Sequence, residues 1–125
     1  MRVAMGMMDV SDDDLQFARQ IGVTDLVTRP ECRAEDGHYR LEALERLRER
    51  VEAAGLRVAA IHDVHPAWND KIRTGLPGRD EQIDHYCQSL TNIGRAGIPI
   101  LGYSFHAVRV WRTSRHARGR GGILC

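Results

Sequence analysis

Apolar and polar positions follow one another along this chain in blocks whose period switches between two and 3.6, the signatures of strand and helix. Residues 2–8, RVAMGMM, are mostly apolar and predict a first strand. Ser11 to Asp14 then reads Ser-x-x-Asp, a capping box in which the hydroxyl takes a free amide and the carboxylate answers it. Leu15, Ala18 and Ile21 repeat at helical spacing, and Gly22 ends that helix. TDLVTR predicts a second strand, and the polar PECRAEDGHY, with its Pro and Gly, predicts a loop. Over residues 41–54, Leu41, Leu44, Leu47, Val51 and Ala54 form one stripe, while Glu and Arg alternate on the opposite, solvated face. After Gly55, LRVAAIHDV predicts a third strand, and HPAWNDKIRTGLPG a long connection. A third helix is expected from Asp80, with Ile83, Cys87, Leu90 and Ile93 turned inward. It ends at Gly97, and IPILGY predicts a fourth strand, with Pro99 near its start where a missing amide donor is tolerated.

Three helices therefore stop in the same way, at QIGV, AAGLRV and RAGIPI. Gly22, Gly55 and Gly97 recur at the spacing of a strand-plus-helix unit, about 30 residues or more. Such units build either a doubly wound sheet or a (β/α)8 barrel. A doubly wound nucleotide binder needs a glycine-rich turn after its first strand. Here that turn is MMDVSDDD, whose acids repel phosphate. The expected fold class is therefore α/β, parallel β-strands with alternating helices, the first half of a (β/α)8 TIM barrel. Residues 1–112 would form the partial barrel of about four strands and three helices, and residues 113–125 an arginine-rich tail.

Composition changes this picture little. Of 125 residues, 42% are hydrophobic and 28% charged, ordinary values for a globular protein, and the net charge of +1 gives no whole-chain pull toward nucleic acid or membrane. Positive charge does gather in RVWRTSRHARGRGG, which carries no acid. Without interleaved aromatics, that run does not make a nucleic-acid surface. No apolar run approaches the roughly 20 residues of a membrane span, and MRVAMGMMDV turns acidic too soon for a signal peptide. Cys32, Cys87 and Cys125 form no CxxC and no metal-ligand spacing. An odd number of cysteines without a secretion signal points to reduced thiols in a cytoplasm.

In a barrel, functional groups sit at the C-terminal ends of strands. Arg29 follows strand two. His62, Asp63 and His65 follow strand three. Tyr103, Ser104 and His106 follow strand four, with Trp111 and Arg112 beyond. Arg29 suits an anion contact at the mouth. His62-x-x-His65 reads either as two metal ligands or as two hydrogen-bonding histidines, and two fall short of the three or four that a site needs. His106 is an acid–base candidate or a strand-end cap. Trp111 with Arg112 either closes over an anion, the guanidinium gripping a carboxylate, or packs at the surface. Cys87 reads as core. The candidate substrate contacts are Arg29, His62, Tyr103, Ser104, His106, Trp111 and Arg112, with no metal ligand assigned.

Taken together, several of these segments resemble the N-terminal half of the mannonate dehydratase family. The likeness lies in a GL entry to strand three, the string KI-TG--GRDEQI-HY--SL-NIG-AGI, and a strand ending in Tyr-x-Phe followed by Trp-Arg. SDDDLQFARQIGVTDLVT is also similar to the family's first helix and second strand. The resemblance covers roughly residues 1–112. It implies a xylose-isomerase-like TIM barrel that removes water from D-mannonate to give 2-dehydro-3-deoxy-D-gluconate in hexuronate (glucuronate) breakdown. It also implies a divalent metal, Mn²⁺ or Fe²⁺, whose His/Cys/Asp ligands come from later strands. Two positions depart from the family: Ser104, where many relatives have Asn, and IHDV, where relatives more often carry an acid after the Ile.

With its end in mid-barrel, the chain is expected to be an N-terminal portion, inactive alone. Its uncovered strand edges are expected to make it sticky, marginal or a homo-oligomer. Two other readings stay open: a portion of a related sugar isomerase or epimerase of the same superfamily, and a non-catalytic half-barrel module.

Overall fold

The computed structural model describes residues 2–8 and 10–107. Trp111, Arg112 and the 113–125 tail lie outside the described residues. Strand β1 is Ala4–Gly6, helix α1 Asp12–Gln20, β2 Asp25–Thr28, α2 Leu41–Ala53, β3 Arg57–Ile61, α3 Asp70–Thr74 and α4 Arg79–Arg95. Short 3₁₀ turns at Ala34–Asp36 and Pro66–Trp68 punctuate the loops after β2 and β3. The long connection after β3 thus holds a turn and the short helix α3, neither of which the hydrophobic pattern marks.

The repeat is visible in the backbone. At the ends of α1, α2 and α4 a glycine with φ between +74° and +81° lets the chain double back: Gly22, Gly55 and Gly97. The next residue's amide then reaches back to the helix, from Val23 to the Ala18 carbonyl at 3.0 Å, from Leu56 to Val51 at 3.1 Å and from Ile98 to Ile93 at 3.1 Å. This is the Schellman closure, and it turns Val23, Leu56 and Ile98 into the core as each strand begins. The start of α1 is equally legible. The Ser11 hydroxyl accepts from the Asp14 amide, and the Ser11 amide donates to the Asp14 carboxylate, both at 3.1 Å.

β1, β2 and β3 pair in parallel and in sequence order. Register runs Ala4↔Asp25 and Asp25↔Arg57, and a bulge skips Ala59 between Leu26 and Val27. The chain then returns along the outer side of β3 through one parallel bridge, Ile61↔Leu101. Ile61 donates to the Ile100 carbonyl at 2.9 Å, and Gly102 donates to the Ile61 carbonyl at 2.8 Å. We label this segment, residues 100–102, β4. The order is 1-2-3-4, the arc of a barrel; a dinucleotide-binding sheet would send the fourth strand back beside the first. The fourth strand expected over 98–103 is therefore correct in place and direction but shrinks to a single bridge. Pro99 has no amide to donate, and from Tyr103 the chain leaves the sheet.

The helix layer covers one face of the sheet. Leu15, Ala18, Leu26, Leu44, Val51, Val58, Ile61, Ile93 and Ala96 form one cluster with Tyr39 and Trp68. The α2 stripe lies as expected, with Leu44 and Val51 buried and Leu41, Leu47 and Ala54 packed against them. α4 keeps Ile93 inward as expected but overturns the rest of the expectation. Ile83, Leu90 and Cys87 are exposed, and the buried face carries Gln82, Ser89, Asn92 and Ile93. The reason is hydrogen bonding. Ser89 Oγ accepts from the Tyr39 amide at 3.1 Å, and the Asn92 side chain donates to the Tyr39 carbonyl at 2.8 Å. Polar residues face inward because they satisfy a buried loop, a requirement that outweighs apolar burial. Ile21 is likewise exposed, because it forms the cap of α1 rather than its last inward turn.

Candidate functional site

The N-terminal end of the sheet is a structural end. Asp25, 2% exposed, pairs there with the Arg57 guanidinium and accepts from the Thr24 hydroxyl at 2.6 Å. The opposite end, where β2, β3 and β4 finish side by side, presents the side chains with chemistry.

Arg29, half-buried, leaves the tip of β2. His62 leaves the tip of β3; its amide donates to the Thr28 carbonyl at 2.8 Å and its side chain is exposed. Asp63 is half-buried. Its Oδ1 accepts from the Val64 amide at 2.8 Å, and its carbonyl accepts from the Tyr39 hydroxyl at 2.7 Å. Past β4, Ser104 is half-buried while Tyr103 and His106 are exposed, Tyr103 to 74%.

The pattern of charge ties these tips together. Burial pushes the Tyr39 phenol well above its usual value; the neighbouring Cys32 thiol and Asp63 add to this and Arg29 opposes it. Burial also raises the Cys32 thiol, with Arg29 pulling the other way. Burial raises Tyr86 as well, with Asp63 and Tyr103 contributing. Two neighbourhoods result. One joins Arg29, Cys32 and the protonated Tyr39; the other joins Asp63, Tyr86 and Tyr103. Phe105 bridges the aromatic side, with ring centroids 6.1 Å from Tyr86 and 5.9 Å from Tyr103 in edge-to-face geometry.

A cleft of about 510 Å³ opens beside the tips of β1 and β2, lined by Met8, Ser11, Arg29, Glu31, Cys32 and Arg50 among others. A larger groove of about 730 Å³ between α1 and α2 is lined by helix residues alone, and no strand tip reaches it.

The described residues do not fit a metal centre. Among them, no three His, Cys, Asp or Glu side chains converge. His65 Nδ1 accepts the Ala67 amide at 3.2 Å and starts the Pro66–Trp68 turn, which explains its position after β3 without a ligand role. The structure thus brings Arg29, His62, Asp63 and Tyr103 to one end of the sheet, while the His65 ring serves the turn that follows β3. Tyr39, Cys32, Tyr86 and Phe105 also stand at this end, and none of them was among the expected substrate contacts. Tyr39 and Cys32 sit in a loop with no periodicity to mark them.

Comparison with known proteins places this arrangement. The sequence profile of the D-mannonate dehydratase (UxuA) family matches residues 6–123. The mannonate dehydratase of Streptococcus equi subsp. zooepidemicus is 43% identical over 74 residues, covering 59% of this chain and 20% of the relative. That of Thermotoga petrophila is 37% identical over 79 residues, 62% of this chain and 21% of the relative. The crystal structure of mannonate dehydratase from Streptococcus suis serotype 2 superposes on 99% of this chain and 36% of its own, with a TM-score of 0.77 and 27% identity. The chain thus spans about a fifth of the length of the curated relatives it matches. A sequential parallel sheet with its polar tips at one end, matched along almost its whole length, shows that this chain belongs to the D-mannonate dehydratase family.

Proposed function

We propose that this chain contributes the β1–β4 side of the substrate mouth in an enzyme that dehydrates D-mannonate to 2-dehydro-3-deoxy-D-gluconate. The reading rests on one observation above all: the tips of β2, β3 and β4 lie side by side in sequence order, so Arg29, His62 and the Tyr103–His106 loop face the same end of the sheet. The reaction takes a proton from the carbon beside a carboxylate and expels the hydroxyl on the next carbon as water; the resulting enol becomes the 2-keto acid. A carboxylate substrate needs a fixed cation, and Arg29 supplies a planar fork for it. Arg112 and Trp111, outside the described residues, remain candidate contacts for the same carboxylate. The Tyr103 and Ser104 hydroxyls suit the hydroxyls of a sugar acid. His62 and His106 add two imidazoles, each with a ring nitrogen to donate and one to accept.

The residues described do not form a metal site. In this reading the Mn²⁺ or Fe²⁺ of the family is held by parts of the longer family fold that this chain does not match. The enzyme that this chain would contribute to then acts on hexuronate-derived acids in the cytoplasm, and the chain by itself is expected to give no turnover.

A chimera tests this reading. The matched N-terminal segment of the Streptococcus suis enzyme is replaced by residues 6–123 of this chain, and D-mannonate with Mn²⁺ is supplied. Keto acid should form with the chimera and not with the 125-residue chain. A folded chimera that forms ketose from an aldose, and no keto acid from mannonate, would shift the assignment to a sugar isomerase. Turnover by the chain alone would refute the need for the remaining fold.

A further inference from the structure

We infer that Arg73 is a positioning residue that latches the loop after β4 onto the turn after β3. Its guanidinium donates to three backbone carbonyls from three segments. Nε reaches Asn69 at 3.2 Å, one terminal nitrogen reaches His106 at 2.8 Å, and the other reaches Pro66 at 3.2 Å. The guanidinium holds its five donors in a fixed fork, so three nitrogens can serve three carbonyls at once, whereas an ammonium has a single nitrogen to place among them.

The latch matters because the loop has little else to hold it. The last sheet bond is from Gly102 to the Ile61 carbonyl. Beyond it, the bond from Arg73 to His106 is the one hydrogen bond that reaches residues 103–107, among the described residues. The other contacts are edge-to-face, between Tyr103 and Phe105 and from Phe105 to Tyr86.

The base of the latch is itself anchored. α3 has five residues, too few to hold its shape alone. Gln82 of α4, 9% exposed, holds it from below. Its Oε1 accepts from the Lys71 and Ile72 amides at 3.0 and 3.3 Å, and its Nε2 donates to the Ala67 carbonyl at 3.0 Å and the Asp70 carboxylate at 2.7 Å. A continuous line of bonds thus runs from α4 through Gln82 and α3 to Arg73 and the loop. It fixes two adjacent mouth loops as one unit. That the unit frames a sugar acid rests on the proposed function; the latch itself does not.

Limited chymotrypsin digestion of the 125-residue chain separates the two. Tyr103 and Phe105 are exposed cleavage sites in the loop, and Phe17, 50% exposed on α1, is an internal reference. Cleavage in a loop requires it to open locally. Arg73→Gln should speed cleavage after Tyr103 and Phe105 by about tenfold, the loss expected for one charge-assisted hydrogen bond, and leave Phe17 unchanged. Arg73→Lys should fall between. Unchanged rates in the loop overturn the inference. So does equal acceleration at Phe17, which would make Arg73 a support of the whole fold. A Lys variant cut no faster than the parent would overturn the need for the fork. No substrate enters the test, so a failed dehydratase reading leaves its outcome intact.

Discussion

Gly102 offers the sharpest test of how β4 docks. A Cβ built there would stand 2.2 Å from the His62 carbonyl oxygen and 3.2 Å from its carbon. Both are backbone atoms and cannot swing aside, so Gly102→Ala must push β4 from β3 by roughly 1 Å. The two bonds that define the bridge, at 2.9 and 2.8 Å, then pass out of hydrogen-bonding range. Each is worth about 1 kcal/mol, so the loss is about 2 kcal/mol. Against it, alanine narrows the unfolded ensemble and returns about 0.4–1 kcal/mol. The net expectation is a destabilisation of about 1–2 kcal/mol. With a urea slope of about 2 kcal/mol/M, the midpoint should fall by roughly 0.5–1 M, read by circular dichroism. Gly94→Ala is the control. Gly94 lies in α4 with nothing within 4 Å of an added Cβ, so alanine there should stabilise by about 0.5–1 kcal/mol. The two substitutions are chemically identical and opposite in expected sign. A Gly102→Ala chain as stable as the parent would refute the docked position of β4.

Two pH dependences follow from the same structure. Hydrogen bonds from Ser11 hold the Asp14 carboxyl below its ordinary 3.8, and the Gln82 side chain does the same for Asp70. A depressed carboxyl gives stability that is present above 3.8 and lost as pH falls below it. Helix content should therefore fall more steeply on acidification below that value in the parent than in Asp14→Asn plus Asp70→Asn; parallel titrations would contradict this. Tyr39 behaves in the opposite sense. Its phenol is raised above 10, foremost by burial, so the stability it gives is full below 10 and lost as pH rises beyond. Tyr39→Phe should lower the neutral-pH stability by about 1 kcal/mol, since the Asp63 carbonyl loses its donor, and should flatten the alkaline decline in urea midpoint. An unchanged alkaline slope would contradict the role of burial.

Local signals in the sequence reached those parts of the fold that local chemistry decides. The Ser11–Asp14 box and the three glycine stops depend on residues within one turn, and the structure has them all. The parallel order follows from the same repeat, because strand–helix–strand units of that length force a crossover. What failed was the face of α4. Its sequence offers Ile83, Cys87 and Leu90 at helical spacing, and nothing local says that Gln82, Ser89 and Asn92 are needed inside. Their partners are a loop and a short helix: Asn92 bonds Tyr39, 53 residues away, and Gln82 bonds Lys71. Hydrogen-bond demand across such a distance leaves no periodic trace.

The same distinction explains the site. The placement of Arg29, His62 and Tyr103 at strand ends was legible because strand tips are fixed by topology, and topology could be read from the repeat. Tyr39 was not. It follows a polar loop, yet it is 1% exposed, packs edge-on to Trp68 at 5.0 Å, and ties the loop after β2 to the loop after β3 through Asp63. Arg73 was missed for a related reason, since its three partners are all carbonyls and carbonyls have no residue identity. This end of the sheet is therefore specified at two levels. Side-chain types at the tips set which chemistry is available, and a second set of residues, binding only backbone, sets where those tips stand. Substitution at the second level would move the first without altering its chemistry, which is why loop order and substrate handling have to be measured separately.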